Sequence, residues 1–344
     1  VTRDEPFRGL SVRFLDLQTL GLYSLYHPPV FQGNLGRSNY FEGWYFKQVS
    51  ADCSEVISVI PGVSLARNRH AFIQVINGIS GDTHYIEFPL TEFSADKKRL
   101  AVNIGPNRFS EDGIELNINR RELQLNGRLG FTGTVPWPRR PWAPGIMGWY
   151  SFVPGMECYH GVVSLDHTIS GTLEYNGSLL DFHHGRGYIE KDWGTSMPES
   201  WIWLHANTFR SAGTSVMLSV AKIPWRNNWF TGFIAFVLHD GRLYRFNTYN
   251  GSSITDFMLK GQDLKITLKS RNFSLSLSAH QKKAGKLKAP VKGLMERYIK
   301  ESIDSDVEIS LLKRNGSVVF EGEARRSGLE LVGEPEKLLD RPVR

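Results

Sequence analysis

Between Asp181 and Asn207 the chain gathers groups that handle protons and flank cations: Tyr188, Glu190, Asp192, Trp193, Trp201, Trp203 and His205. A spacing of two sets Tyr188, Glu190 and Asp192 on one face if the segment is a strand. A carboxyl held in apolar surroundings stays protonated near neutral pH. Glu190 and Asp192 are therefore the candidate proton donors, with Tyr188 beside them. The plainer alternatives are that Asp192 anchors a turn before Gly194 and that Glu190 pairs with Arg186 or Lys191. Trp201 and Trp203 also share a face and are either core or the wall of a ligand site. Aromatic faces attract a developing cation by about 0.5–2 kcal/mol per ring. His160, within Glu157-Cys158-Tyr159-His160-Gly161, is either a base that accepts a proton or a buried, hydrogen-bonded structural histidine.

Other chemistries find little support. His183 and His184, with His160, Asp181 and His205, have the types of metal ligands, but adjacent residues on a strand point to opposite faces and chelate one ion poorly. No metal is expected. Gly185-Arg186-Gly187 lacks the six-position dinucleotide fingerprint and a following helix, so no nucleotide cofactor is expected either. There is no Gly-x-Ser-x-Gly elbow for hydrolase chemistry.

The elements that must position these groups read as strands. Apolar runs surround Asn77-Gly78 and Asp240-Gly241, and further pairs stand at Asp112-Gly113, Asn126-Gly127, Asn176-Gly177, Asn250-Gly251 and Asn315-Gly316. Such pairs supply the positive φ of tight hairpin turns. Leu264, Ile266, Leu268 and then Phe273, Leu275, Leu277 fall on period-two positions. Gly293–Ile303 is the best candidate helix, yet its Met295, Arg297, Ile299 alternation suits a strand equally well. The class is all-β, two tandem antiparallel β-barrels or sandwiches. Closing a sheet hides its edges, and a barrel of about eight strands leaves room for one elongated ligand.

The halves also resemble each other. Glu42-Gly43-Trp44-Tyr45-Phe46 has a counterpart in Glu199-Ser200-Trp201-Ile202-Trp203, and Val56–Pro61 in Met217–Pro224. Ala71–Val75 then corresponds to Gly232–Phe236, and Leu100–Ile118 to Leu264–Ser278. The conserved order points to a duplicated domain, with domains expected at residues 1–180 and 181–344. The stretch Val135–Pro144 reads as a rigid connection across the surface.

Four blocks carry a family resemblance. Tyr40-Phe41-Glu42-Gly43-Trp44-Tyr45-Phe46-Lys47 resembles the opening signature of the tocopherol cyclase family, lipocalin-like proteins related to the carotenoid 1,2-hydratases. Glu190-Lys191-Asp192-Trp193-Gly194 followed by Trp201-Ile202-Trp203-Leu204-His205-Ala206-Asn207 resembles the second signature. Gly148–Pro154 and Gly328–Gly333 look like further family blocks. Two departures stand out: Ser58-Val59-Ile60-Pro61-Gly62 replaces a Ser-Val-Glu-Asn-Pro block, and His27-Pro28-Pro29 precedes the first signature.

The resemblance implies two lipocalin-like β domains and an enzyme that needs no cofactor. It protonates the double bond of a prenylated hydroquinone and traps the cation with the phenol oxygen, closing a chromanol ring. Isoprenoid hydration, or non-catalytic carriage of a prenyl lipid or quinone, are the alternatives. The hydratases have Tyr-x-Asp where Tyr188-Ile189-Glu190 stands, which supports Glu190 and Asp192 as acids. His160 would take the phenol proton. Trp44, Trp193, Trp201, Trp203, His205 and Asn207 would contact substrate, although Trp44 and Glu42 also suit a structural role.

Composition is consistent with this. Of 344 residues, 41% are hydrophobic and 12% aromatic, including 9 Trp, enough to line a site or fill a core. Two cysteines, Cys53 and Cys158, allow at most one bridge and fit a reducing compartment. The net charge of +6 is modest, and no nucleic-acid motif accompanies it. Lys282, Lys283, Lys286, Lys288 and Lys292 form a basic stretch, read as a solvated loop or as a dock for an anionic membrane. No apolar run approaches the ~18 residues of a membrane span, and Val1–Leu10 is charged where a secretory signal is apolar. A chain lacking an initial Met is expected to be processed. A cytoplasmic or peripheral-membrane location follows, with a small apolar prenyl lipid or quinone as partner.

Overall fold

The computed structural model describes residues 23–226 and 228–339, so the reading of Val1–Leu10 lies outside the described residues. Among the described residues, alternating patterns and hairpin turns give 22 strands in two antiparallel sheets. The first sheet contains β1 (Phe41–Val49), β2 (Val56–Ser64), β3 (His70–Asn77), β4 (Thr83–Pro89), β5 (Phe93–Ala95), β6 (Ala101–Ile104), β7 (Asn107–Ser110), β8 (Gly113–Asn119), β9 (Gln124–Thr132), β10 (Cys158–Tyr175), β11 (Ser178–Asp181) and β12 (Arg186–Gly194). The second contains β13 (Trp201–Ala206), β14 (Ser215–Trp225), β15 (Asn228–His239), β16 (Arg242–Asn247), β17 (Ser253–Lys260), β18 (Asp263–Lys269), β19 (Phe273–His280), β20 (Gly285–Val291), β21 (Leu294–Lys313) and β22 (Val318–Val332).

The strand orders correspond. The first sheet runs β4-β3-β2-β1-β12-β10-β9-β8-β7-β6-β5 and the second β16-β15-β14-β13-β22-β21-β19-β18-β17. Thus β1 and β13, β2 and β14, and β12 and β22 hold equivalent places. Each sheet curls around its own apolar core as a lipocalin-like sandwich, and no pairing among the described residues closes either into a barrel. A third apolar cluster lies between the sheets, built from Tyr45, Tyr188, Trp201, Trp203, Phe236 and Ile299 among others. Strands at the centre of the molecule are therefore buried on both faces, with alternate residues serving two different cores.

Several expectations shift. The boundary drawn at 180/181 falls short of β12, which pairs with β1 and β10 in the first sheet; the passage between sheets is 195–200. Asn176-Gly177 and Asp240-Gly241 make turns with positive φ at both residues, whereas Asn126-Gly127 lies inside β9. Gly293–Ile303 is strand, the start of β21. The basic stretch is not a free loop: β20 pairs with β21, Lys282 pairs with Asp306, and Lys288 lies over the Tyr85 ring. Its lysines are thus partly committed to intramolecular contacts. The segment between β9 and β10 crosses to the second sheet, with Tyr249 Oη donating to the Ile146 carbonyl at 2.7 Å and Trp137 edge-on to Phe236.

Candidate active site

On β12, even-numbered residues face the second sheet and odd-numbered ones the first core. Tyr188 belongs to the cluster between the sheets and Ile189 to the first core. The shared face expected for Tyr188, Glu190 and Asp192 is present. Tyr188 Oη donates to Glu190 Oε2 at 2.7 Å, and His160 Nδ1 lies 2.9 Å from Asp192 Oδ1 with Nε2 3.5 Å from Glu190 Oε2. From the other sheet, Trp203 Nε1 donates to Glu190 Oε2 at 3.1 Å. Glu190 pairs with neither Arg186 nor Lys191: Arg186 engages Asp166, and Lys191 engages Glu42.

These groups open on a cavity of about 220 Å³ between the sheets. His160, Glu190, Asp192, Trp201 and Trp203 line it, together with Tyr45, Glu301 and Glu330. The remaining wall is largely apolar, with Ile60, Phe72, Met197, Phe230 and Ile299. A mostly apolar hollow with a few converging polar groups is the usual form of a small-molecule site.

Burial sets the electrostatics. It pushes the Glu190 carboxyl up to about 7, and the nearby Asp192 charge adds to this, against His160 and the bonds from Tyr188 and Trp203. Burial alone would lower the His160 imidazolium, but the Glu190 and Asp192 carboxylates outweigh it and raise it to about 9. Tyr188 rises well above the ordinary tyrosine range through burial and the Glu190 charge, so it stays a hydroxyl donor. Burial thus favours the neutral form of Glu190, while the flanking carboxyl groups favour the cationic form of His160. Ligand atoms of His160, Glu190 and Asp192 lie within 4.8 Å of one another, a metal-like donor set. The imidazole stands between the carboxylates, one ring nitrogen toward each, which suits proton relay better than chelation of one ion.

Four of the expected substrate contacts lie away from this cavity. Trp44 is fully buried in the first core and donates its Nε1 to the Pro29 carbonyl at 2.8 Å. Trp193 stacks on Tyr159 against that same core. His205 lies behind Tyr188, ring on ring at 3.6 Å, and Asn207 is spent on Asp166 and the Gly187 carbonyl. None of the four lines the cavity. The reason for Trp44 is register. In strand pairing Tyr45 stands opposite Glu190 and Trp203 opposite Glu330, so Tyr45, not Trp44, is the counterpart of Trp203. The sequence match of Trp44 with Trp201 is off by one residue, and a one-residue slip turns a side chain to the other face.

Tyr45, Glu301 and Glu330 are lining residues that sequence reasoning missed. The available signal was a carboxyl inside an apolar strand, as in Leu329-Glu330-Leu331-Val332. Lys47, two residues from Tyr45, is fully buried without a hydrogen-bond partner, and burial lowers it to about 7.

No curated protein matches the sequence. Solved structures of similar fold include CghA with Sch210972, at 12% identity and a TM-score of 0.54, covering 86% of this chain and 89% of that one. Kievitone hydratase from Nectria haematococca aligns over 89% of this chain and 94% of its own, at 12% identity and a TM-score of 0.48. Residues 129–333 match the tocopherol cyclase-like family model, a span that includes β10, β12, β13, β21 and β22 and hence the carboxyls of the cavity. The chain belongs to the tocopherol cyclase-like family.

Proposed function

We propose that this protein is an isomerase that closes a chromanol ring on a prenylated hydroquinone, with Glu190 as the general acid. The observation that carries this reading is a buried Glu190, shifted by that burial toward its neutral form, beside indole rings in an otherwise apolar hollow. The Glu190 proton passes to the less substituted carbon of a trisubstituted double bond, leaving a tertiary cation. The phenol oxygen then attacks that cation, and the phenol proton departs. Addition of O–H across C=C is redox-neutral, so the step requires no electron carrier.

The surroundings favour the charges that develop. Tyr188, Trp203 and protonated His160 all point at the carboxylate that Glu190 becomes, stabilising it at the moment of transfer. Tyr45, Trp203 and Phe230 are aromatic residues of the cavity wall that can attract the cation, while Arg297 already covers one face of Trp201. Asp192 holds the His160 ring, which can return a proton to Glu190 after each cycle.

An apolar substrate suits the rim as well. Trp149 stacks on the lining residue Tyr150 and Trp225 packs edge-on against Phe230, both indoles being exposed. Indoles favour membrane–water interfaces, which supports delivery from a lipid surface. No described helix is long and apolar enough to cross a membrane.

Incubation with prenylated methylhydroquinones, followed by chromatography for chromanols, tests the reading; absence of turnover across a panel removes it. Isoprenoid hydration is the second reading, favoured by the exposed Glu157 on the cavity wall, where water can enter. Oxygen-18 from water in the product identifies hydration, and its absence from a ring-closed product identifies cyclisation.

A further inference from the structure

Cyclisation as described leaves one proton unassigned, the one lost by the attacking hydroxyl. His160 is poorly suited to take it, because Asp192 and the carboxylate left on Glu190 after proton transfer favour its protonated form. The second sheet supplies an alternative. Glu301 on β21 and Glu330 on β22 stand directly opposite each other in register, and both line the cavity. Tyr45 Oη donates to Glu301 Oε1 at 2.6 Å, and Trp201 Nε1 donates to Glu330 Oε2. Among the described residues no group donates to the buried Glu301 Oε2. Two buried carboxyls that influence each other, with one donor each, repel when both are ionised, which favours a single proton held between them.

The charged and titratable groups around the pair are few. Tyr45 and Lys47 approach Glu301 from β1, Glu190 approaches both carboxyls from β12, and Asp192 approaches Glu330. Burial, the largest influence, pushes Glu301 up to about 7 and Glu330 well above the carboxylate range. The fold adds an independent argument. Glu190 pairs with Tyr45 of β1, and Glu330 pairs with Trp203 of β13, so each sheet sets one carboxyl at the equivalent place on the equivalent strand.

We propose that the Glu301–Glu330 pair is a second catalytic centre, a carboxyl dyad that accepts the substrate's hydroxyl proton as the C–O bond forms. This rests on the reading of Glu190 as the acid and narrows the substrate class. The ligand carries a free hydroxyl within reach of a trisubstituted double bond, a hydroquinone rather than a quinone. In the step, the Glu190 O–H bond breaks as a C–H bond forms, and the substrate O–H breaks as the C–O bond forms. The released proton goes to the Glu301 carboxylate, and loss of one proton from the dyad to solvent restores it.

Two measurements on the full chain test the dyad. Infrared pH titration reads the dyad itself without substrate. A protonated-carboxyl band that persists above neutral pH is expected in the wild type and in Glu190→Gln, is expected to vanish in Glu330→Gln, and is expected to titrate at lower pH in Glu301→Gln. A band indifferent to both dyad substitutions overturns the shared proton.

The second measurement uses a prenylated methylhydroquinone in deuterated water. Glu190→Gln is expected to lose deuterium uptake and ring closure together. Glu301→Gln is expected to keep binding and deuterium uptake while ring closure falls about 100-fold, the usual scale for a lost acid–base group. The acid limb of its pH–rate profile should also disappear. Should Glu301→Gln not fold, Tyr45→Phe leaves the carboxyl in place and removes a bond that favours its ionised form, so the acid limb should move to higher pH. Ring closure with an unchanged profile in these variants overturns the dyad's role alone. Full turnover by Glu190→Gln overturns the reading of the acid while leaving the infrared result intact.

Discussion

Two neighbouring strands of the first sheet, β1 and β12, each carry a buried glutamate, and the two sit in opposite surroundings. Glu42, on β1, faces into the first core, where it meets Lys191 at 2.6 Å and accepts bonds from the Gln32 and Gly33 amides and from Tyr40. Lys191 in turn donates to the Pro28 carbonyl at 2.9 Å and to that of Val30. That network ties segment 28–33 to the sheet and leaves no oxygen for a ligand. Glu190, adjacent to Lys191 in sequence, points the other way into the cavity and has no lysine or arginine partner among the described residues. The lesson is that burial of a carboxyl does not itself make an acid. What separates the two is whether the opposing group is an ammonium, which holds the charge, or hydroxyl, indole and imidazole donors around a hollow, which leave the proton available.

The sharpest way to break this comparison is to neutralise each glutamate. Glu190→Gln should lower ring closure by about 10²–10⁴-fold, the range for general acids, without loss of ligand binding by fluorescence quenching. Retained activity would place the acid elsewhere. Glu42→Gln should act on stability instead, because removing one partner of a buried ion pair strands the other at a cost of about 3–5 kcal/mol. Urea unfolding measures this, and a near-neutral result would show that the network is not what fixes segment 28–33.

The pH dependence of stability separates the same two regions. Glu190 and Glu301 are each raised from 4.5 to about 7 by burial, so the folded state binds more protons than the unfolded state across that window. Their contribution to stability is full below 4.5 and is lost as pH rises through about 7. Glu190→Gln should therefore flatten the decline of Tm between about pH 5 and pH 8, and an unaltered slope would argue that Glu190 is hydrated in solution. A smaller effect is expected from Tyr188→Phe, which deletes a donor to the ionised form of Glu190. The alkaline limb of the pH–rate profile should move up by about one unit, the equivalent of one hydrogen bond to a charged group. Smallest of all, Trp44→Phe should leave turnover within about twofold, since the ring lies in the first core, and should cost only packing and one hydrogen bond.

Alternation and turn chemistry were enough to read the strands, because a strand's period and a hairpin's positive φ are local properties. They place Tyr188, Glu190 and Asp192 on a common face of β12, and Trp201 with Trp203 on a common face of β13. The first three ordered matches likewise fall on equivalent strands, whereas Leu100–Ile118 covers β6 to β8 and Leu264–Ser278 covers β18 and β19, which hold the places of β8 and β9. Trp44, Trp193, His205 and Asn207 show where local reading ends. Each lies in or beside a segment that serves the cavity, and each is turned from it by one step of register or one layer of packing.

What the amino-acid order alone determined was the all-β class, the repeat and the candidate acids of one strand, since these depend on neighbours two residues apart. Tertiary structure decided which face of each strand looks into the hollow, and that Glu301 and Glu330 join Glu190 there from strands more than a hundred residues further along the chain. Register and sheet-on-sheet contact settle such matters, and both arise from pairings between distant segments that no local spacing encodes.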